Sequence, residues 1–333
     1  MAGNDLILGG DIGATKTHLA LFSLQGNKLK SEFEKTFPSQ EYSGLEPVLR
    51  EFLAVAGNSA DRACFGIAGP VVEGKVKTPN LSWVVDAGKI AETLKLASVS
   101  LLNDLQAAAY GIFTLEPHEF LCLNQGVARR PGNKVLIAAG TGLGEAIIYD
   151  DGRKYHPLAS EGGHADFAPR DDLEIELLRY LIPEFGHVSV ERVVSGPGLL
   201  SVYNFLKHRV GLEEPSWFEK EISGAEDPSA FISKAALEGE PEIPVKALDM
   251  FVSVYGAEAG NLALKGNAMG GVYVGGGIAP KIKNKLLDGI FMRAFIDKGR
   301  YEEFLSSIPV YVILNDRAAL RGAAHYASLG ADG

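Results

Sequence analysis

The sequence predicts an α/β protein whose two halves are each built on a strand–turn–strand unit. Residues 6–22 (LILGGDIGATKTHLALF) and 135–150 (VLIAAGTGLGEAIIYD) are each an apolar run, a turn rich in glycine and threonine, and a second apolar run. Glycine lets such a turn reach a positive φ and approach a ligand closely. Consecutive backbone N–H groups in the turn can form an anion-binding concavity. Two copies far apart in the chain therefore favour a duplicated fold in which each half binds one end of a polyphosphate.

The rest of the chain alternates between strand and helix patterns, which is typical of α/β lobes. Residues 45–56 carry apolar side chains at helical spacing. Residues 269–281 predict a strand, a glycine turn and the start of a helix. Further helices are predicted at 87–96, 105–113, 171–182, 198–209 and 316–329 and within 216–264, and further strands at 63–71, 97–104 and 308–314.

The length of 333 residues makes two domains the default expectation, because it exceeds what one small core needs. The alternating pattern loosens between residues 114 and 134, and the second hairpin begins just beyond. We therefore expect a small lobe of residues 1–114 with 316–333, and a large lobe of residues 115–315. The last helix is assigned to the small lobe because its Ala, Leu and Gly face needs a partner.

The composition argues against several classes of function. Apolar and charged fractions of 46% and 22% are those of a soluble globular protein. The net charge of −10 argues against nucleic acid or an anionic membrane as a main partner. With no recognisable leader and only short apolar runs, a cytoplasmic protein is expected. Cys64 and Cys122 supply neither a disulfide framework nor a metal cluster, and both are expected to be buried thiols.

The first glycine turn matches neither common phosphate-binding motif. A P-loop would need a different spacing from glycine to Lys16, and a dinucleotide fingerprint would need a helix where residues 18–22 predict a strand. What is left is Asp11, Gly13 and Thr15 at the mouth of a hairpin. The Asp11 carboxylate is suited to hold Mg²⁺ through water beside bound phosphates. An aspartate that satisfies turn amides is the alternative, and the second copy of the turn favours the phosphate interpretation.

Asn103 and Asp104 follow an apolar strand, at the end where open α/β sheets place ligand groups. There Asp104 would accept a proton from a hydroxyl group, and Asn103 would hydrogen-bond a neighbouring one. The alternative is a helix N-cap, which both residue types favour. Because one residue suffices for a cap and this site has two, we favour catalysis.

Glu161 and His164 flank a pair of glycines in the segment EGGHAD. On a helix their spacing would suit two metal ligands on one face, but the glycine pair disfavours a helix. A loop with one carboxylate and one imidazole suits recognition of vicinal hydroxyl groups. Glu191 offers another carboxylate before a turn, for which a solvated pair with Arg192 is the alternative.

Gly275, Gly276 and Gly277 follow an apolar strand and precede a predicted helix. Three glycines permit close approach of a flat ligand or a phosphate, and a helix N-terminus favours negative charge. A tight strand-to-helix turn would explain one glycine but hardly three.

Seven segments, taken in order, closely resemble the bacterial glucokinase family of the sugar-kinase/actin/heat-shock-chaperone superfamily. They are GGDIGATKT, IAGPV, LLNDLQAAAYG, AAGTGLGEA, EGGHADFAP, ERVVSGPGL and VGGGIAP. The resemblance covers nearly the whole chain and is highly specific when the segments are taken jointly. It implies a two-lobed actin-like ATPase fold (ribonuclease H-like) with a ligand cleft between the lobes. It also implies ATP-dependent phosphorylation of the glucose 6-hydroxyl in that cleft.

The resemblance also implies roles for individual residues. Asp104 would be the general base. Sugar hydroxyls would be bound by Asn103, Asp104, Glu161, His164 and Glu191. The nucleotide would be bound by Asp11, Gly13, Ala14, Thr15, Thr141, Gly142, Gly275, Gly276 and Gly277. Asp11 would hold Mg²⁺ through water, and the zinc site of the related repressor-and-sugar-kinase family is not expected, because its Cys cluster is lacking.

The expected partners are therefore glucose and ATP, in a homodimer, and two alternatives stay open. One is a kinase for another hexose, such as mannose or an amino sugar, because the contacts of a single hydroxyl decide that choice. The other is a non-catalytic actin-like nucleotide-binding protein. Asn103, Asp104 and the EGGH segment favour a kinase, since a polyhydroxyl pocket is idle in a chaperone or a filament. The sequence does not decide among ATP, ADP and polyphosphate as phosphate donor.

Overall fold

The computed structural model describes residues 6–26, 28–78, 81–127 and 131–330. Its strands are β1 (Ile7–Ile12), β2 (Lys16–Gln25), β3 (Lys28–Pro38), β4 (Arg62–Ile67), β5 (Lys75–Lys77), β6 (Val84–Asp86), β7 (Ser98–Asn103), β8 (Phe120–Asn124), β9 (Lys134–Ala139), β10 (Leu143–Asp150), β11 (Tyr155–Ser160), β12 (Gly271–Gly275) and β13 (Val310–Ile313). Its helices are α1 (Leu45–Ala56), α2 (Ala87–Leu94), α3 (Asp104–Gly111), α4 (Asp172–Phe185), α5 (Gly196–Phe205), α6 (Ser216–Ser223), α7 (Pro228–Glu238), α8 (Glu242–Gly266), α9 (Lys283–Leu286), α10 (Ile290–Ile296), α11 (Glu302–Ser306) and α12 (Ala318–Ser328).

The chain divides into two compact units. Unit 1 takes the residues up to Glu119 together with those from Asn315 onward, and unit 2 runs from Phe120 to Leu314. The main sheet of unit 1 has the strand order β3-β2-β1-β4-β7, and that of unit 2 has the order β11-β10-β9-β12-β13-β8. In each sheet an antiparallel hairpin, β1–β2 or β9–β10, lies beside parallel strands. The two strand–turn–strand segments of the sequence are these two hairpins.

In unit 1 the central strands β1, β4 and β7 are parallel and carry apolar residues on both faces. Leu8 and Phe65 belong to a core shared with α1 and α2, whereas Ile7 and Cys64 belong to a core shared with α3 and α12. The close contact of α12 with α3 requires a glycine at Gly322, since a Cβ there would overlap the backbone of α3. Helices on both faces thus bury the strands and leave their carboxyl ends at one sheet edge.

In unit 2 the long helix α8 is buried along most of its length and packs on α5, α7 and α10. Its fully buried Tyr255 also reaches the sheet. The Tyr255 hydroxyl accepts a hydrogen bond from Ala139 N–H at 3.2 Å and lies 3.3 Å from the carbonyl oxygens of Ile137 and Gly275. One side chain therefore fixes the ends of β9 and β12, where the two glycine segments of this unit begin.

The structure differs from the sequence expectations in the extent of some elements. The strand predicted at 63–71 ends at Ile67, because Gly69 has φ 109°, outside the extended region. The helix predicted at 198–209 ends at Phe205 and continues as a π-helical turn over Leu206–Val210. Cys122 is exposed rather than buried, because β8 is an edge strand. In the parts of the chain described, no helix combines the length and the apolar character needed to cross a membrane.

Candidate functional site

The glycine turn of unit 1 is held in place by hydrogen bonds from a buried serine. Gly13 N–H donates to the carbonyl of Lys16 at 2.9 Å and closes the turn. Ser39 Oγ donates to the Gly13 carbonyl at 2.7 Å, and Ser39 N–H donates to the Thr15 carbonyl at 2.9 Å. Thr15 itself is exposed. No local pattern in the sequence points to Ser39, because its role depends on the pairing of β3 with β2 beside the turn.

Asp11 is the next-to-last residue of β1 and is partly exposed. Loss of solvent is the main cause that raises the pKa of its carboxyl to about 6. The Asp104 carboxylate acts in the same direction, and the Arg317 guanidinium opposes it. Asp11 and Asp104 thus place two carboxyl groups that repel each other at one edge of the sheet, and carboxylate oxygens are the hard donors that Mg²⁺ prefers. Asp11 is therefore compatible with the predicted role of holding Mg²⁺ through water. The described residues contain no cluster of three or more His, Cys, Asp and Glu that could hold a metal.

Asn103 and Asp104 have separate structural roles. Asn103 is the N-cap of α3: its Oδ1 accepts from Leu105 N–H at 2.9 Å and from Gln106 N–H at 3.4 Å. Asp104 is the first residue of the helix, is partly exposed, and accepts from Leu105 N–H at 3.0 Å. The cap alternative therefore holds for Asn103 and is wrong for Asp104, whose charge the helix N-terminus stabilises.

Strand register brings Asp11 and Asp104 to the same edge of the sheet of unit 1. Ile12 pairs with Ile67 of β4, and Ile67 pairs with Asn103 of β7. Two strand spacings separate β1 from β7, which is about 10 Å. The candidate base thus lies within unit 1 beside the turn predicted to bind phosphate.

The two glycine segments of unit 2 adjoin each other at the end of β9. Gly140 N–H donates to the carbonyl of Gly142 at 2.8 Å, and Thr141 between them is exposed. Gly276 has φ 82°, and a Cβ there would overlap the backbone of Ala139. The structure therefore brings Thr141 and Gly142 together with Gly275 to Gly277, as the prediction of one nucleotide site requires.

The predicted helix after the second of these segments does not begin there. Residues 276–282 form successive turns, and α9 starts only at Lys283 and is four residues long. The positive φ of Gly276 is incompatible with a right-handed helix at that point. A helix dipole therefore does not assist ligand binding at residues 275–277. What this segment offers instead is open space beside Gly277, where an added Cβ would meet no atom within 4 Å.

Glu161 and His164 are presented by a single 3₁₀ turn, Gly162–His164, where the sequence indicated a loop. Both side chains are exposed. The turn is closed by hydrogen bonds from His164 N–H to the Glu161 carbonyl at 3.0 Å and from Ala165 N–H to the Gly162 carbonyl at 2.9 Å. Gly163 is buried against the backbone of Leu143, which a Cβ would overlap. The glycine pair thus seats the turn directly on the start of β10.

Glu191 also contacts Leu143, at the start of β10. Its Oε2 accepts a hydrogen bond from Leu143 N–H at 2.9 Å. Arg192 instead lies over the ring of Phe185, 4.3 Å from its centroid, so the alternative of a solvated Glu–Arg pair is wrong. Within unit 2, Leu143 therefore joins the second glycine turn, the Glu161–His164 turn and Glu191.

One buried acidic residue of unit 2 escaped the sequence reasoning. Glu145 is 1% exposed in β10 and lies beneath the turn that carries Glu161 and His164. A signal was present, since Glu145 shares its strand face with the apolar Leu143 and Ile147. A charged residue at such a position is unusual in a buried strand.

Comparison with solved structures shows the actin-like α/β fold of sugar kinases. The structure aligns with the crystal structure of a glucokinase from an Antarctic psychrotroph with TM-score 0.86 and 32% identity, over 98% of this chain and 99% of that chain. A ROK family glucokinase from Streptomyces griseus, solved in complex with glucose and AMPPNP, aligns with TM-score 0.66 over 98% of this chain and 100% of that chain. At 23% identity, that second match concerns the fold alone.

Sequence comparison identifies the family. The glucokinase family model matches residues 8–329. The chain is 42% identical to a glucokinase of Nostoc sp. over 96% of this chain and 98% of that protein. It is 40% identical to a glucokinase of Synechocystis sp., over 95% of this chain and 96% of that protein. The chain belongs to the glucokinase family, which confirms the resemblance inferred from the seven segments.

Proposed function

We propose that this protein transfers the γ-phosphoryl group of ATP to the 6-hydroxyl of D-glucose, giving glucose 6-phosphate and ADP. Family membership supports the reaction class. The observation that carries the chemistry is Asp104, a partly exposed carboxylate at the sheet edge that also holds Asp11 and the first glycine turn. The resemblance to glucokinases supports cytoplasmic action on free glucose in glycolysis, as a homodimer.

In this proposal Asp104 orients the 6-hydroxyl and accepts its proton as the new O–P bond forms and the bond from the γ-phosphorus to ADP breaks. A neutral hydroxyl is a weak nucleophile, so a carboxylate within hydrogen-bond reach lowers the barrier. In a loose transition state the proton moves late, and positioning contributes as much as basicity. Asn103 holds Asp104 in place by capping the same helix, which fixes the direction of α3 at its first residue.

The exposed pair Glu161 and His164 is proposed to accept hydrogen bonds from sugar hydroxyls, with Glu191 as a third partner. Glu191 already accepts from Leu143 N–H, and a carboxylate has room for further donors. A carboxylate that contacts both the second glycine turn and the sugar would couple the position of the sugar to that of the nucleotide.

The nucleotide is proposed to be bound by the backbone of the two glycine turns, with Thr15 and Thr141 toward the phosphates. Glycines 275 to 277 would lie near the adenosine, where Gly277 leaves open space. Asp11 would hold Mg²⁺ through water. When bound, Mg²⁺ neutralises charge on the transferred phosphate.

A coupled assay that detects ADP, run with Mg²⁺–ATP and a panel of hexoses, tests the proposal. We expect glucose to give the highest kcat/KM, and NMR of the product to show a phosphate on O6. Preference for mannose or an amino sugar would keep the kinase and replace the substrate. ATP hydrolysis or binding without phosphorylation of any hexose would refute the proposal in favour of a non-catalytic nucleotide-binding protein.

A further inference from the structure

A pair of buried carboxyl groups lies behind the Glu161–His164 turn. Glu145 of β10 is 1% exposed and Glu258 of α8 is 5% exposed. Glu258 is well compensated, because Asn261 Nδ2 donates to its Oε2 at 2.8 Å and Lys265 Nζ lies 3.3 Å from its Oε1. Glu145 Oε1, in contrast, has no hydrogen-bond partner among the described residues. A buried carboxylate oxygen without a donor is costly, so Glu145 is expected to carry a proton.

The surroundings of Glu145 favour its neutral form. Burial is the main cause that raises its pKa to about 7, the Glu258 carboxylate and a hydrogen bond shared with it act in the same direction, and Lys265 opposes them. Tyr255 of α8 also lies near Glu145; burial is the main cause that raises the pKa of the tyrosine, and the Glu145 charge acts in the same direction. Lys298, after α10, lies near Glu258, and burial lowers its pKa. The charged groups that surround Lys298 in turn are Arg170, Glu174, Glu258 and Asp297.

Glu145 is in direct contact with the turn. It pairs across the strands with Ser160, whose Oγ accepts from Gly162 N–H at 2.9 Å. A Cβ on Gly162 would overlap Glu145 Oε2, so no atom fits between the carboxyl group and the turn backbone. Any displacement of the Glu145 carboxyl toward Ser160 must therefore move the backbone that carries Glu161 and His164.

We propose that Glu145 and Glu258 form a positioning pair for the sugar-binding turn. A single proton shared between the two carboxyl groups keeps them together and leaves room for Gly162, whereas loss of that proton drives them apart and displaces the turn. The inference rests on the proposed function, since it assigns Glu161 and His164 to the sugar. Neither residue of the pair touches substrate, and both act through the turn.

The consequence is a dependence of sugar binding on pH. A carboxyl with a raised pKa is neutral below that pKa and ionised above it, so the turn is seated at pH 6 and displaced at pH 8.5. The KM for glucose should therefore rise severalfold between these values, by at most about tenfold per pH unit for one proton. The KM for ATP should not follow the same profile.

Glu145→Gln tests the pair, because glutamine has nearly the same shape, cannot ionise, and can donate its amide to Glu258. We expect the glucose KM of this variant to change less between pH 6 and 8.5 than that of wild type, and to lie below the wild-type value at pH 8.5. Glu258→Gln removes the neighbouring charge. The pH at which the glucose KM begins to rise should therefore be lower in this variant than in wild type. Glu221→Gln, at an exposed position in α6, is the matched control and should keep the wild-type profile.

Glucose titrations by calorimetry without ATP give the same profile independently of turnover, and urea denaturation controls for folding. Glu145→Gln should unfold at a higher urea concentration than wild type at pH 8.5 and at a similar one at pH 5.5. If Glu145→Gln keeps the wild-type break in glucose binding, the inference is overturned while the kinase proposal stands. If wild-type protein phosphorylates no hexose at any pH, the proposed function fails instead.

Discussion

Replacing Asp104 by asparagine separates catalysis from structure because the helix cap is a different residue. Asn103 keeps both of its capping hydrogen bonds in this variant. The new Oδ1 can still accept from Leu105 N–H, as Asp104 does at 3.0 Å. What the fold loses is one negative charge in the first turn of a helix, which is worth about 0.3–1 kcal/mol. Relief of the repulsion between Asp104 and Asp11, which adds to burial in raising the Asp11 pKa, acts in the opposite direction. We therefore expect the free energy of unfolding to change by less than about 1 kcal/mol.

The expected effect on turnover is much larger. Loss of a general base lowers kcat by about 10²–10⁴, or about 3–5 kcal/mol in the activation barrier. ATP binding should be retained, since the glycine turns are untouched. The assay is steady-state kinetics with glucose and Mg²⁺–ATP, together with urea denaturation of the same protein.

Asp172→Asn is the matched control. Asp172 is also the first residue of a helix, follows an Asp N-cap, and is exposed in unit 2. It should show the same small change in stability and unchanged turnover. A kcat of Asp104→Asn close to that of wild type would refute the assignment of the base. A loss of activity explained by unfolding of Asp104→Asn would refute the separation of roles between Asn103 and Asp104.

Three further predictions follow from the site. Glu161→Gln keeps the shape of the side chain and removes a charged hydrogen-bond acceptor worth roughly 1.5–3 kcal/mol. The glucose KM should therefore rise about tenfold or more, with little change in the ATP KM. An equal rise of both KM values would contradict the assignment of Glu161 to the sugar site. Asp11→Asn should lose activity that extra Mg²⁺ partly restores, with glucose binding by calorimetry intact; kinetics unchanged at low Mg²⁺ would leave Asp11 as a turn residue. Ser39→Ala leaves the Gly13 carbonyl and Thr17 hydroxyl without their partner, so it should destabilise by about 1–3 kcal/mol and raise the ATP KM. Ser43→Ala at a nearby exposed position should do neither, and an equal effect of the two serine variants in denaturation would contradict the role of Ser39.

The sequence by itself determined the features that are written locally along the chain. Each glycine turn lies between apolar strands, so its hairpin is specified by neighbouring residues and by the backbone freedom of glycine. The helix over Leu45–Ala56 has the predicted bounds, because apolar periodicity and the left-handed Gly57 define it locally. The order of seven short segments identified the family, because their residues are read without knowledge of any contact.

Only the tertiary structure decided which polar group serves which neighbour. Asn103 and Asp104 both suit a cap, and the choice depended on which of the two starts α3. The neighbouring Arg192 suggested an ion pair for Glu191. In the structure, the Glu191 carboxylate instead accepts a hydrogen bond from Leu143 N–H, in a strand far away in sequence. Ser39 and the Glu145–Glu258 pair became visible only when strand pairing and helix packing brought together residues far apart in sequence. Burial makes such partners decisive, because a polar group removed from water must find a donor, an acceptor or a proton, and the sequence does not record where it will find one.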